Sequence, residues 1–313
     1  MKKIKLRAFE IENKTIGKSS SGLMKNLQEN LKVSSTANER RMILNADEEK
    51  PEEDLISYHA FSNQVQFCTM LRIKPGKDVQ HINDTLFNKA SFTIAELHKT
   101  DVDATAIYKE HYYFGISGDF LVTNLPGNIT VTRLQTYLNW YLDKLYEITP
   151  IISPSVSKDL SSVKSITVID PVNESAIREL EAKDDGKQRS VFDLPGIAID
   201  KLKGMLVDAK SLTDLELANL ISAKLVIEFN KPKKSDSEAL KKAYAAMLKP
   251  ISDLDHVQIQ TRDNKQLKKG SEILRTKIVD IDLTDKGSIN DNTLIQAMAI
   301  FISELTNDKK AAT

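Results

Sequence analysis

Apolar and polar residues alternate at the start of the chain, from Ile4 to Ile11, with the two-residue period of a half-buried strand. The next segment has a helical period, because leucines recur every four residues from position 23 to position 31. A second strand is predicted in QVQFCTMLRIKPG, which ends in a proline–glycine turn signal. The acidic stretch NADEEKPEEDLI, which precedes that strand, is predicted to be a connector.

The middle of the chain has the strongest local pattern. In HYYFGISGDFLVTN, two apolar runs flank the turn signal SGD, which predicts a β-hairpin. A helix is predicted over 132–146, with one apolar face made of Leu134, Leu138, Tyr141, Leu142 and Leu145. PIISPSVS is predicted to be a linker. Beyond it, strands are predicted at 163–170, in AKLVIEFN, in VQIQTRD and at 275–283, with helices in DSEALKKAYAAMLK and DNTLIQAMAIFISEL.

This alternation predicts an α+β fold with two domains. If the strands at 163–170 and 275–283 pair antiparallel, the segment between them becomes a second α+β domain. That domain would be inserted into a globular α/β domain on a two-stranded β stalk. We therefore expect a globular domain at 1–169, completed by 278–313, and an inserted basic domain at 170–277.

Composition is that of an ordinary folded protein, with 41% hydrophobic and 28% charged residues in 313. Cys68 is the single cysteine, which excludes an intrachain disulfide, and its apolar surroundings predict a core position. The amino terminus lacks the apolar run of a signal peptide, and no stretch approaches the roughly 18 apolar residues of a membrane helix. We expect a cytoplasmic protein without membrane insertion.

Motifs for catalysis are absent or incomplete. Gly17, Lys18 and Ser19 match the end of a phosphate-binding loop, but Glu12 stands where that loop needs its first glycine. The five histidines are not spaced as a metal pair, and no Gly-x-Ser-x-Gly turn is present. We therefore predict no catalytic residue, metal or cofactor.

One pattern keeps an enzymatic alternative open. Asp170, Glu181 and Lys183 loosely match the Asp…Glu-x-Lys arrangement of metal-dependent nucleases, in which carboxylates hold Mg²⁺. That chemistry requires Glu181 and Lys183 on a strand, whereas their segment has the pattern of a polar helix. A surface helix is the favoured interpretation, because short patterns often match by chance.

Charge placement gives the clearest functional indication. The whole chain is balanced, with 44 Lys+Arg against 44 Asp+Glu, but 224–277 holds thirteen basic and seven acidic residues. This +6 segment, with −6 left for the remainder, suits a protein that holds a polyanion at one place. Lysine is a flexible point charge that binds phosphate without reading sequence. Solvated surface is the alternative interpretation.

The candidate phosphate contacts are eight lysines in this segment. Three follow a predicted strand, two lie on the next helix, and three lie on a predicted hairpin tip. They are Lys231, Lys233, Lys234, Lys241, Lys242, Lys265, Lys268 and Lys269.

The stretch LVIEFNKPKKSDSEALKKAYAAMLKPISDLDHVQIQTRDN resembles the RexA-like family, named after the exclusion protein of phage lambda. The shared features are a strand that runs into Lys-Pro-Lys, a helix with a lysine pair, and a strand followed by Arg and Asp. GSINDNTLIQAMAIFISEL is similar to that family's closing helix, and the upstream order of strand, hairpin and helix also agrees.

The resemblance implies a non-catalytic, sequence-independent double-stranded DNA-binding protein of phage exclusion or antiviral defence. It also implies a homodimer with a globular and a second, mobile domain, and it carries the DNA contact to Lys231, Lys233, Lys234, Lys241 and Lys242. A second defence-system protein is a further expected partner. The alternatives are a metal-dependent nuclease and a protein–protein adaptor whose lysines meet an acidic partner.

The terminal helix gives a second reason to expect a homodimer. It carries more apolar surface than one face needs, in Leu294, Ile295, Met298, Ile300, Phe301 and Leu305. The alternative is that this helix closes the core of its own chain.

Overall fold

Two units share the chain. Unit 1 consists of Met1–Pro126, Val131–Ile151 and Arg275–Thr313, and unit 2 consists of Gly127–Thr130 and Ile152–Leu274. The structure is a computed structural model, and it describes residues 1–14, 22–44, 51–73, 81–82, 84–97, 106–125, 130–154, 162–169, 224–228, 237–249, 257–262, 267–284 and 287–312. Unit 1 is therefore assembled from three separate parts of the sequence.

The elements are numbered in chain order over the described residues. The strands are β1 (Lys2–Asn13), β2 (Arg41–Leu44), β3 (Glu52–Ser62), β4 (Val65–Ile73), β5 (His81–Ile82), β6 (Ala106–Ser117), β7 (Phe120–Thr123), β8 (Tyr146–Pro150), β9 (Val163–Ile169), β10 (Lys224–Glu228), β11 (Val257–Thr261), β12 (Leu267–Lys269) and β13 (Thr276–Ile281). The helices are α1 (Leu23–Val33), α2 (Asp84–Phe87), α3 (Ile94–Leu97), α4 (Val131–Leu142), α5 (Ser237–Leu248), α6 (Gly270–Ile273) and α7 (Asp291–Ala312), with a 3₁₀ turn at Asn38–Arg40.

Unit 1 is built on one large antiparallel sheet. Its strands follow the order β13-β1-β7-β6-β4-β3-β2, with β5 beside β6 and β8 beside β1. The first and last strands of the chain are neighbours, and their register runs from Lys2 opposite Ile281 to Arg7 opposite Thr276. Helices combined with this sheet confirm the predicted α+β class.

Two tight hairpins fix the register of the central strands. β6 and β7 are joined by a two-residue loop in which Gly118 has φ 57°, a left-handed conformation that glycine adopts without steric cost. The hairpin predicted at SGD is therefore confirmed. β3 and β4 are joined through Asn63 and Gln64, both also left-handed.

Helix α7 covers one face of this sheet. Its buried Leu294, Met298 and Phe301 share a core with side chains of β1, β4, β6 and β7. The packing is close at Gly115 in β6, where an added Cβ would lie 2.8 Å from Val65 Cγ1 and 3.1 Å from Met298 Sδ. Glycine is needed there because a side chain would occupy the space that Val65 and Met298 fill.

A buried ion-pair network attaches helix α4 to the sheet. Arg133 donates to both carboxylate oxygens of Asp54, at 2.6 and 2.7 Å, and to Glu52 at 2.9 Å. Arg72 on β4 donates to the same Glu52 oxygen. Since Asp54 is only 2% exposed, this two-pronged contact fixes where α4 begins against β3.

A fully buried arginine, Arg40, connects the 3₁₀ turn to β3 and to the segment that contains Ala90. Arg40 donates through Nε to the carbonyl of Ile56 at 2.9 Å and through Nη2 to the carbonyl of Ala90 at 2.6 Å. Burial lowers the pKa of its guanidinium. Tyr137 on α4 donates to the carbonyl of Arg40 at 2.7 Å and accepts the N–H of Ile56 at 3.1 Å.

The predicted stalk is wrong. The strand at 163–170 is found as β9, but its two neighbours are β10 and β11, so both of its edges are occupied within unit 2. The strand predicted at 275–283 is found as β13, which pairs with β1 instead. β9 thus belongs to unit 2 rather than to the globular domain, and the inserted-domain arrangement itself stays a prediction.

Several boundaries differ from the sequence pattern. β3 begins at Glu52, inside the predicted acidic connector, and β8 occupies Tyr146–Pro150, where the helix was expected to end and the linker to begin. Helix α4 ends at Leu142 because Asp143 takes a left-handed φ of 48°, which stops the helical hydrogen-bond pattern. Leu145, assigned to its apolar face, is consequently exposed.

The prediction that the terminal helix has more apolar surface than one buried face needs is also wrong. Five of the six side chains named for it lie in the core of their own chain, and only Ile300 is largely exposed, at 50%. The alternative, that α7 closes its own core, is confirmed by the packing around Met298 and Phe301. The homodimer stays a prediction, without this support.

We expect Gly115→Ala to lower the free energy of unfolding by about 1–3 kcal/mol, because the new methyl group overpacks the contact with Val65 and Met298. Urea denaturation measures the loss. Combining the change with Val65→Ala removes the nearest opposing atom, so the double variant should be less destabilised than the sum of the two single variants. Simple additivity would contradict this packing account.

Asp291, in the first turn of α7, should make stability depend on pH. Burial raises its pKa from 3.8 to about 6, so the folded state holds the proton more tightly than the unfolded state. The protonated carboxyl group of Asp291 therefore favours the folded state. This contribution to the free energy of unfolding is fully present below pH 3.8 and is lost as the pH rises through 6. Asp291→Asn should therefore stabilise the protein at pH 7 by about 1–2 kcal/mol, since the gain from the pKa shift is partly offset by the lost helix-dipole interaction.

Urea titrations of both proteins at pH 4 and pH 7 test this. The stabilisation by asparagine should appear at pH 7 and vanish near pH 4. An equal difference at the two pH values would show that the carboxylate of Asp291 pays no desolvation cost in the folded state.

Candidate nucleic-acid interface

Unit 2 contains the helices and strands that the structure describes between 224 and 274. Its four strands form an antiparallel sheet in the order β10-β9-β11-β12. Helix α5 buries Tyr244, Ala245 and Leu248 in one core with Ile166 of β9 and Ile259 of β11. This apolar stripe anchors α5 to the sheet and leaves its opposite side to solvent.

The lysine pair of α5 flanks that anchor. Lys242 is exposed, and so are Ala243 and Ala246 on the same outer side. Lys241 is half-buried because it lies three and four residues before the buried Tyr244 and Ala245. The outer surface of α5 therefore combines lysine with small side chains, so a phosphate backbone can approach the helix closely.

The later lysines belong to a strand rather than to a loop. Lys268 and Lys269 lie in β12, with Lys268 opposite Ile259 and Lys269 opposite Gln258 of β11. The antiparallel pairing of β11 and β12 confirms a hairpin, but these two lysines are in its second strand and not at the predicted tip. β12 is the last strand in the order of the unit 2 sheet.

Other candidates lie outside the described residues. These are Lys231, Lys233, Lys234 and Lys265 of the DNA-binding prediction, and Asp170, Glu181 and Lys183 of the nuclease alternative. Among the residues that the structure describes, no group of three or more His, Cys, Asp or Glu could hold a metal ion. Nor does any described helix have the length and apolar character needed to cross a bilayer.

Two basic residues of the 224–277 segment do not belong to the interface. Arg275 and Lys277 lie in unit 1, where Arg275 pairs with Asp308 of α7 at 3.1 Å and Lys277 pairs with Glu304. Both cations also lie over the ring of Phe301. Their charge holds β13 to α7, so the candidate interface narrows to 224–269.

The two units differ little in net charge. Residues 152–274 contain 20 Lys/Arg and 19 Asp/Glu, so unit 2 carries +1 and unit 1 carries −1. Within unit 2 the positive charge is concentrated in 224–269, which holds eleven Lys/Arg against six Asp/Glu.

Sequence reasoning overlooked a small basic stripe in unit 1. Lys3 and Lys5 on β1 are both exposed and, two residues apart on a strand, project from the same face of the sheet. Their neighbours across β13 are Asp280 and Ile278. The signal was visible in KKIKLR as lysines at alternating positions.

The shifted pKa values of Cys68 and His59 in unit 1 result from burial. Burial raises the pKa of the Cys68 thiol to about 12, and this cysteine is free and fully buried, as its apolar surroundings predict. Burial likewise lowers the pKa of His59. A thiol with so high a pKa is not a nucleophile at neutral pH.

Comparison of the chain with models of known protein families gives no match, and a search among curated proteins gives none either.

Tyr244 should be the main anchor of α5. We expect Tyr244→Ala to lower the free energy of unfolding of unit 2 by about 3 kcal/mol, because it removes a side chain that is only 4% exposed. Lys242→Glu on the outer side should change it by less than about 0.5 kcal/mol. Hydrogen exchange of the α5 and β11 amides follows this unit specifically; equal effects of the two changes would contradict the orientation of the helix.

Proposed function

We propose that this protein binds double-stranded DNA without sequence readout and without catalysis, through the lysine-rich surface of unit 2. The observation that supports the proposal is the positive charge of 224–269, which holds eleven Lys/Arg against six Asp/Glu, with Lys242 exposed on the outer side of α5. A regular scaffold that displays this excess can follow a phosphate backbone.

The chemistry of the surface favours phosphate contacts over base contacts. All but one of the eleven basic residues of 224–269 are lysines, which lack the planar, two-pronged donor set by which arginine reads guanine. The exposed residues on the outer side of α5 are Lys242, Ala243 and Ala246. None of these has the amide or aromatic side chain that would contact a base edge. Binding should therefore depend on charge and be indifferent to sequence.

The biological setting rests on the resemblance to the RexA-like family. That resemblance supports a cytoplasmic role in phage exclusion or antiviral defence, as a homodimer and with a second defence-system protein as a further partner. It is carried by the segment that contains Lys231, Lys233, Lys234, Lys241 and Lys242.

Charge reversal on α5 tests the interface. We expect Lys241→Glu combined with Lys242→Glu to weaken binding of every duplex about tenfold or more, and to reduce the slope of log K against log salt by about 0.9 for each lost phosphate contact. Fluorescence anisotropy on two unrelated duplexes, over a range of salt concentrations, measures both effects. The triple change of Lys231, Lys233 and Lys234 to Glu should act in the same direction.

The matched control reverses the same charge on unit 1. Lys25→Glu combined with Lys32→Glu alters two exposed lysines of α1 and leaves unit 2 untouched. It should have a much smaller effect on affinity. If both double variants weaken binding equally, net charge and not the α5 surface governs association. If neither changes it, α5 is not the contact.

Incubation of plasmid with the protein and Mg²⁺ separates binding from the nuclease alternative. The proposal expects intact plasmid at protein concentrations that saturate binding. Cleavage that is lost in Asp170→Ala would replace the proposal with a metal-dependent nuclease.

A further inference from the structure

Strand β13 stands at the end of the unit 1 sheet. β1 is its only strand neighbour within the described part of the chain. An unpaired strand edge presents a row of N–H and C=O groups that can pair with another strand.

The hydrogen-bond pattern of β1 identifies the outward groups. Ala8 donates its N–H to the carbonyl of Arg275 and accepts the N–H of Ile151, so the backbone of Ala8 faces this side of the sheet. By alternation the backbone of Leu6 and Ile4 does the same, and their partners Lys277 and Val279 point inward to β1. The N–H and C=O groups of the alternate residues, Thr276, Ile278 and Asp280, are therefore directed outward.

The open part of the edge is short and has a defined centre. Beyond Ile281 the edge is closed, because Asn290 donates its N–H to the carbonyl of Asp282 and Leu283 forms a bridge with Ile289. Within the described ranges, no backbone partner is found for the outward groups of Thr276, Ile278 and Asp280, and these residues are symmetric about Ile278.

Of the usual protections of an edge strand, β13 has a charged side chain at the exposed Asp280. β13 has no proline, and its register with β1 has no bulge. Its lysine, Lys277, is held by Glu304 of α7 instead of projecting as a free charge. Ile278 is 67% exposed, which leaves a large apolar side chain on the face opposite α7.

We propose that this edge pairs antiparallel with β13 of a second copy of the chain, with Ile278 opposite Ile278 of the other copy. In that register the outward groups of Ile278 exchange hydrogen bonds with each other, and those of Thr276 exchange with those of Asp280 of the second copy. All three residues on each edge then find partners. A register centred on any other residue leaves some of them unpaired.

The side chains are compatible with this register. The two Ile278 side chains meet across the strands, and β-branched pairs of this kind stabilise sheets. Thr276 lies opposite Asp280, and Lys277 lies opposite Val279, so no like charges are directly opposed. The arrangement has two-fold symmetry and closes after two copies, as expected for a homodimer.

This interface rests on the homodimer of the proposed function but not on DNA binding. It is tested without DNA, so its failure and that of the DNA proposal are distinguishable. A monomeric protein that binds DNA would overturn the homodimer and its β13 interface and leave the DNA-binding proposal standing. A dimer that fails to bind DNA would overturn the proposed function and leave the interface standing.

Light scattering at up to ~100 µM protein is the first measurement, since so short an edge forms a modest interface. The expected mass is twice the 35.1 kDa of the chain. Ile278→Lys places two ammonium groups opposite each other and should return the mass to that of the monomer. Ile43→Lys, the same change at a 56% exposed position of β2 on the other end of the sheet, should leave the dimer intact.

A cysteine at the two-fold axis tests the register. The Cα atoms of a hydrogen-bonded antiparallel pair lie about 5.5 Å apart, within the range of a disulfide. Ile278→Cys should therefore cross-link two chains under mild oxidation, and the native Cys68 does not interfere because it is fully buried. Ile43→Cys is the matched control and should remain largely monomeric on a denaturing gel.

Three results would overturn the proposal. The wild-type chain could be monomeric throughout the concentration range, which would leave the edge for a strand of another protein. The dimer could survive Ile278→Lys, which would place its interface elsewhere. Cross-linking could be no faster through position 278 than through position 43, which would exclude pairing centred on Ile278.

Discussion

The antiparallel pairing of β1 with β13 is the constraint on which the rest of unit 1 depends. It joins the two ends of the chain in one sheet, from Lys2 opposite Ile281 to Arg7 opposite Thr276. Helix α7 follows directly and can therefore cover the sheet, where Gly115 permits the contact with Met298. β8 and β13 both pair with β1 in unit 1, whereas residues 152–274 belong to unit 2.

Basic residues serve two different purposes along one segment. Arg275 and Lys277 contact acidic groups of α7 and the ring of Phe301, so their charge is used within the fold. Lys242 is placed outward by the burial of Tyr244 and Ala245 on the same helix. Basic residues that are counted together in the 224–277 segment thus fall into two groups, which are cations that stabilise the fold and candidate phosphate contacts. Packing decides to which group each residue belongs.

The core of unit 1 contains polar groups that define its assembly. Arg133 reaches from α4 to Asp54 and Glu52, and Arg40 bonds to backbone carbonyls with Tyr137 closing over it. Removing one partner of such a buried contact costs far more than an exposed pair contributes. The shifted pKa values of buried groups in unit 1, such as Arg40 and Cys68, therefore result from packing. The functional proposals concern the surface of unit 2 and the edge of the sheet at Ile278.

The sequence by itself determined the elements with a strong local period: β1 from its alternation, α1 from its leucines, the hairpin from SGD, and α7 from its apolar residues. It also located the lysines. Tertiary structure decided the rest. β3 begins among acidic residues because Arg72 and Arg133 pair with Glu52, and β8 forms between the predicted helix and the predicted linker because β1 supplies its partner. It also decided that β9 pairs within unit 2 and that Arg275 and Lys277 are neutralised. Periodicity records which side of a segment is buried, whereas strand partners and ion pairs arise between residues that are distant in the chain and leave no local period.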